Sequence, residues 1–238
     1  MNATTDIFTR PQQRLGTRDE SRWFGVYVGL VVDVADPDGH GRVRVKLPWA
    51  GDSDGTSYEG WCRLVVPMAG PSRGFWFVPE PGDEVAVVFE AGDPRRPYVM
   101  GSLWNGSDAP PESMDGSAQN NIRAIHSRSG IRIVMDDTDG AVALTIDTPG
   151  GQSVELKDSP ATVTVSDSNG NKVELASAGI TIETSAKLSV SASTVEVTAG
   201  SVTVNAGMSK FSGVVQADTV IANAVVGTSY TPGAGNIW

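Results

Sequence analysis

His40, His126, the sole cysteine Cys62, the acidic run Asp136-Asp137-Thr138-Asp139-Gly140 and the pair Arg95-Arg96 are the positions where this chain could hold a metal, a proton or an anion. They do not assemble into a catalytic or ligating set. The two histidines lie far apart in sequence, whereas a zinc site needs three or four His, Cys or acidic ligands. His40 sits in Asp-Pro-Asp-Gly-His-Gly, the composition of a tight turn, and reads as an exposed loop residue. The acidic run lacks the Asp-x-Asp-x-Asp-Gly spacing and the distal glutamate of a calcium loop, so it also reads as a turn. Cys62 reads as a small buried hydrophobe and excludes an intramolecular disulfide. No Ser/His/Asp set, nucleophile elbow or phosphate-cradling glycine loop occurs. The expectation is a chain with no catalytic residue, no cofactor and no metal.

The elements that carry these residues are strands. Between residues 173 and 204 an apolar-x-apolar unit recurs every seven or eight residues: Val173/Leu175, Ile180/Ile182, Leu188/Val190, Val195/Val197 and Val202/Val204. Looser copies precede it at Leu144/Ile146, Val154/Leu156 and Val163/Val165. Alternation places each pair on one strand face. A short, fixed repeat marks a stacked, quasi-one-dimensional β-architecture whose units cannot bury their own apolar residues. Neighbouring coils, and here neighbouring chains, must cover them.

Composition divides the chain. Thirteen of sixteen aromatics lie between Phe8 and Trp104, and ten of fourteen prolines fall at or before Pro110. The C-terminal half is Val, Ile, Ala, Ser, Thr and Gly. Interiors pack to about 0.74 density, so an interior of small aliphatics must be narrow: a column, not a ball. Roughly ten strands per chain at about 4.8 Å spacing give a column on the order of 50 Å tall. The net charge of −10 opposes tracking of phosphates, so no nucleic-acid partner is expected. The N-terminal residues lack a basic stretch followed by an apolar one, so no secretory signal is expected and synthesis in the cytoplasm is.

Residues 1–22 are polar without periodicity and read as a flexible or docking arm. From Trp23 to about residue 106 the pattern is all-β: GVYVGLVVDV, RVRVKLPW, WCRLVVPM, the apolar strand in FWFVPEPGDEVAVVFE, and RRPYVMGSLW. Five strands rich in aromatics fit a small Greek-key barrel such as an OB-fold. Residues 107–121 are a Pro/Gly/Ser/Asn-rich linker, 122–227 the repeat region, and 228–238 a turn-rich end closing on Ile237-Trp238.

GRVRVKLPW followed by WCRLVVPMAGPSRGFWFVPEPGDEVAVVFEAGDPRRPYVMGSLWNG resembles the OB-fold module of contractile-tail spike proteins. That family includes phage baseplate assembly protein V, the lysozyme-bearing spikes of large myophages and the VgrG proteins of type VI secretion. IHSRSGIRIVMDDTDG is similar to the entry into their trimeric β-helix, and DSNGNKVELASAGITIET to the helix itself. The resemblance implies an all-β homotrimer: three N-terminal OB-fold barrels as a collar, then an intertwined triple-stranded β-helix needle. It implies assembly into the baseplate of a phage tail or tail-like particle, and transient contact with a target cell envelope. Departures matter too. No lysozyme-like insertion separates barrel and needle, and only some 22 residues precede Trp23, so the hub is expected as a separate polypeptide. That favours a phage-like or extracellular particle over type VI secretion. Without a C-terminal His-x-His, a PAAR-type tip protein is expected on Tyr230, Asn236, Ile237 and Trp238. Arg95 and Arg96 are assigned a hub- or tube-facing role by the resemblance. His126, beside Arg128 at the needle entrance, reads as structural or solvated, the alternative being a polar contact or ion site on the trimer axis.

Two other classes deserve weighing. A β-helix polysaccharide-degrading enzyme needs carboxylates in a cleft, and seven-residue repeats leave no loops to build one. An OB-fold module for nucleic acid or carbohydrate would stack ligands on Trp49, Trp61 or Trp76; these residues are instead expected in the barrel core.

Overall fold

The computed structural model describes residues 22–51 and 57–229. The chain divides into two units between Ala186 and Lys187. Most of the arm, and the tip-binding candidates Tyr230, Asn236, Ile237 and Trp238, lie outside the described residues.

The N-terminal barrel is built from β1 (Tyr27–Asp33), β2 (Val43–Gly51), β3 (Ser57–Leu64), the short hairpin β4 (Ala69–Gly70) and β5 (Arg73–Gly74), then β6 (Glu84–Phe89) and β7 (Pro97–Ser102). It closes in the order β1-β2-β3-β7-β6. Every pairing is antiparallel except β3 with β7, which run parallel at Arg63↔Tyr98 and Leu64↔Val99. This is the five-stranded closed barrel of an OB-fold. Strict alternation creates its core: Val43, Val45 and Leu47 from β2 and Val85, Val87 and Phe89 from β6 point inward with Val31, Cys62 and Val99. Gly29 lets β1 cross close over β2, since a Cβ there would stand 2.5 Å from Val45 Cγ1.

An aromatic cluster packs against this core. The Trp23 ring meets Trp49, Tyr58 and Phe89 edge-on at 5.0–5.3 Å, and Tyr27 stacks on Trp49 at 4.5 Å. Trp49 Nε1–H donates to the Val28 carbonyl (3.0 Å). The Tyr27 and Tyr58 hydroxyls likewise donate to backbone carbonyls, of Phe24 (3.0 Å) and Pro94 (2.5 Å), the polar handles such rings carry.

The barrel differs from the sequence expectation in its third strand and in its tryptophans. The third strand runs Ser57–Leu64 rather than Trp61–Met68, because its partner β7 meets it only at Arg63 and Leu64 and the chain then leaves for the β4–β5 hairpin. None of the three tryptophans expected in the core lies there: Trp76 is 76 % and Trp49 48 % exposed, and Trp61 is half-buried outside the core cluster.

Seven further strands follow: β8 (Ile122–His126), β9 (Arg132–Asp136), β10 (Ala143–Asp147), β11 (Ser153–Asp158), β12 (Ala161–Ser166), β13 (Lys172–Ala176) and β14 (Gly179–Glu183). They pair in sequence order as one open antiparallel sheet. Asx chemistry makes the turns. The Asp167 carboxylate accepts the backbone N–H groups of Asn169 (2.8 Å) and Asn171 (2.9 Å), and the Asn171 side chain beside it holds its pKa down to about 2. In the second unit, the described residues 187–229 contain no strand paired within the chain.

Candidate assembly surface

Strand register turns the alternating sequence into two continuous apolar columns. One runs Ile125–Ile133–Ile146–Val154–Val165–Val173–Ile182 across all seven strands. The other runs Met135–Leu144–Leu156–Val163–Leu175–Ile180 and begins beside Arg123. Column members two residues apart on a strand share one face, so the columns form one apolar stripe. Between them on the opposite face lie Thr145, Glu155, Thr164, Glu174 and Thr181, a surface suited to water. Lys172 braces it, reaching Glu183 at 3.2 Å and Glu174 at 3.5 Å.

Nothing among the described residues buries the apolar face. No residue of β8–β14 is buried; Leu156 is 40 % and Val165 47 % exposed, rising to 71 % at Ile180. Soluble monomers rarely present contiguous apolar surface on this scale, and larger patches mark interaction sites. Taken by itself, the second unit repeats the condition more strongly: Leu188, Val190, Val195, Val197, Val202 and Val204 are each 61–70 % exposed. Their pattern asks for strands, yet a strand needs a partner for its backbone N–H and C=O groups, and the described chain supplies none there.

The other sequence candidates resolve into local structure. Asp36 accepts the backbone N–H groups of Asp38, His40 and Arg42 and pairs with the Arg42 guanidinium at 2.6 Å, which holds its carboxyl far below the usual range; His40 is an exposed part of this turn. The Asp136 carboxylate accepts the Thr138 N–H (2.8 Å) and Asp137 pairs with Arg123, so the acidic run is a turn. His126 Nε2 stands 3.0 Å from the Glu112 carboxylate but without hydrogen-bond alignment; Glu112 also reaches Arg132 at 3.3 Å. The linker thereby docks on the first two strands of the sheet. Among the described residues no group of three His, Cys, Asp or Glu could hold a metal. Burial pushes the Cys62 thiol up to about 12.

Arg95 and Arg96 share the loop between β6 and β7 but not a partner. The Asp93 carboxylate accepts from the Arg95 guanidinium at 2.9 and 3.0 Å and falls to about 2 in pKa. Arg96 pairs with Glu90 at 3.0 Å. Both remain largely exposed at the rim of a concavity shared with Arg22.

The sequence reading missed the lobe at residues 65–78, where Phe75, Trp76 and Phe77 stand exposed; their aromatic composition argued for burial, and nothing in the pattern separated them from core rings.

Residues 27–104 match the model of the type VI secretion system/phage-baseplate injector OB domain. Residues 143–209 match that of the phage baseplate V C-terminal trimerisation domain. The spike protein VgrG1b of type VI secretion in Pseudomonas aeruginosa is 31 % identical over 127 residues, covering 50 % of this chain and 17 % of the relative. VgrG2a from the same organism is 27 % identical over 156 residues, 58 % of this chain and 18 % of the relative. The actin cross-linking toxin VgrG1 of Vibrio cholerae is 32 % identical over 93 residues, 36 % of this chain and 8 % of that protein. The chain thus spans less than a fifth of the length of these curated relatives.

Proposed function

Because the chain belongs to the contractile-tail spike family that joins phage baseplate protein V to the VgrG proteins, we propose that it is the central spike of a contractile injection machine. Three copies form the spike, linking tube and hub above to a tip below, and the spike crosses a target envelope when the sheath contracts. The uncovered apolar face of β8–β14 carries this reading. It is amphipathic, spans seven strands and lacks cover among the described residues, while residues 143–209 match a trimerisation domain. Three such faces turned inward form a prism whose core is the two columns. Each aliphatic so buried contributes roughly 1.5–3 kcal/mol.

The same packing supports continuation of the needle through the second unit, where Leu188 to Val204 find strand partners on other copies. Between residues 188 and 238 the only charges are Glu196, Lys210 and Asp218, so the shaft loses few hydration contacts in passing a headgroup layer. The work of insertion is assigned to sheath contraction, with no chemistry asked of this chain. Arg95 and Arg96, exposed together at one barrel loop, are proposed to face a separate hub or tube protein. Residues 228–238 are proposed to seat a PAAR-type tip on stacked apolar ends. The chain is proposed to be made in the cytoplasm and built into the particle's baseplate.

Removing the gene from a producing cell tests the function. Spike density should be missing from the baseplate, and puncturing should cease. Particles that keep a full axial spike without this chain would overturn the proposal. Deleting residues 228–238 should abolish tip binding and leave the trimer intact.

A further inference from the structure

Residues 65–78 leave the barrel after β3, turn through the β4–β5 hairpin and return at Val78. They build a groove of about 850 Å³. Its apolar members are bare: Trp76 is 76 %, Phe77 63 %, Phe75 49 % and Met68 46 % exposed. Core burial does not require these rings, because the barrel is already closed and filled by the nine residues around Val45 and Val87. Cations flank them. Arg63 lies over the Tyr98 ring at 5.4 Å and near enough to Glu90 to lower its pKa, but among the described residues neither Arg63 nor Arg73 forms a salt bridge.

We infer that this aromatic–arginine groove is the contact by which the barrel of one copy seats against a neighbouring copy, closing the collar above the needle. The inference rests on the trimeric reading of the chain. Two observations select a second copy as the occupant. The first is continuity with the apolar sheet face: Glu80, three residues beyond Phe77, pairs with Arg128 in the turn joining β8 and β9. The lobe is therefore anchored to the head of the sheet that must meet other copies. The second is charge. Residues 23–106 hold eleven Asp and Glu against seven Lys and Arg, so three net-acidic barrels drawn together repel unless cations sit at their contacts. Among the described residues Arg63 and Arg73 form no salt bridge, and they line the groove in which Phe75, Trp76 and Phe77 stand exposed. Aromatic and arginine anchors in a desolvated patch are the composition of an interface hot spot.

The test replaces Trp76 with the photoreactive p-benzoyl-phenylalanine in the full chain, which its exposure tolerates. The purified protein is sized by light scattering, irradiated, boiled in SDS and resolved by mass. The expected result is a trimer before irradiation and covalent products at two and three chain masses afterwards, with most of that ladder lost in the added variant Arg73→Glu. An intact trimer giving no ladder overturns the inference and leaves the trimer standing. A cross-link formed only in assembled particles, to a different polypeptide, overturns it in favour of that partner. A monomer before irradiation removes the trimeric reading itself.

Discussion

Truncating Leu156 separates a buried face from an exposed one by magnitude. In the single chain Leu156 is 40 % exposed, flanked by Leu144 and Val163 in its column. If the face stays bare, Leu156→Ala leaves no enclosed cavity. Only the transfer of about three methylene equivalents is lost, scaled by the covered 60 %, or about 1.5 kcal/mol per chain at ~0.8 kcal/mol each. If three copies close over the column, the substitution opens a cavity in a packed core and costs about 2–5 kcal/mol per chain, hence about 6–15 kcal/mol per trimer. Thr164→Ala, on the opposite face, is the control and should stay within about 0.5 kcal/mol. The assay is thermal melting at several chain concentrations, because a folded trimer in equilibrium with unfolded chains melts higher when more concentrated. The account expects concentration-dependent melting and a Leu156→Ala loss several times that of the control. A loss near 1.5 kcal/mol with no concentration dependence would refute the reasoning.

Other outcomes follow from the barrel. Gly29→Ala should destabilise it by about 1–3 kcal/mol by overpacking, since the new methyl meets Val45 and Leu47 side chains at 2.5 and 2.9 Å; an unchanged barrel melt would contradict the close crossing of β1 and β2. Cys62, with its thiol pushed up to about 12, should resist a disulfide reagent at pH 8 until the protein is denatured, and rapid labelling of native protein would contradict its burial. The Asp93–Arg95 pair depresses the Asp93 pKa to about 2, so its stabilisation is present above the ordinary carboxylate value and lost as pH falls through about 2. The melting difference between wild type and Arg95→Ala should accordingly hold near neutrality and vanish in strong acid; a difference independent of pH would deny the pair.

Where alternation met a partner within the chain, the sequence was sufficient. β2 and β6 are legible because Val43, Val45 and Leu47, and Val85, Val87 and Phe89, alternate strictly, and the pairs from Leu144/Ile146 to Ile180/Ile182 fall on strands β10 to β14. Legibility failed where a strand's limits are set by another strand. Ser57–Leu64 contains Tyr58, Gly60 and Cys62, a weak pattern fixed by pairing with β2 and β7 rather than by its own periodicity. The β4–β5 hairpin hid in Ala-Gly-Pro-Ser-Arg-Gly, because two-residue strands have no period to read. Val195/Val197 and Val202/Val204 show the converse: the same pattern as β13 yields no strand, because no described segment of the chain lies beside them to pair with. Asp115 orders the linker by accepting the N–H groups of Ser117, Gln119 and Asn120, contacts that its Pro/Gly/Ser composition does not announce.

The central claim, that the apolar face is an interface among three copies, is tested most directly by the molar mass of the full-length protein from light scattering, repeated in SDS at room temperature and after boiling. The account predicts three times the 24.9 kDa chain mass, retained in SDS until the sample is boiled. A stable species of one chain mass, with the apolar columns open to water, would contradict it.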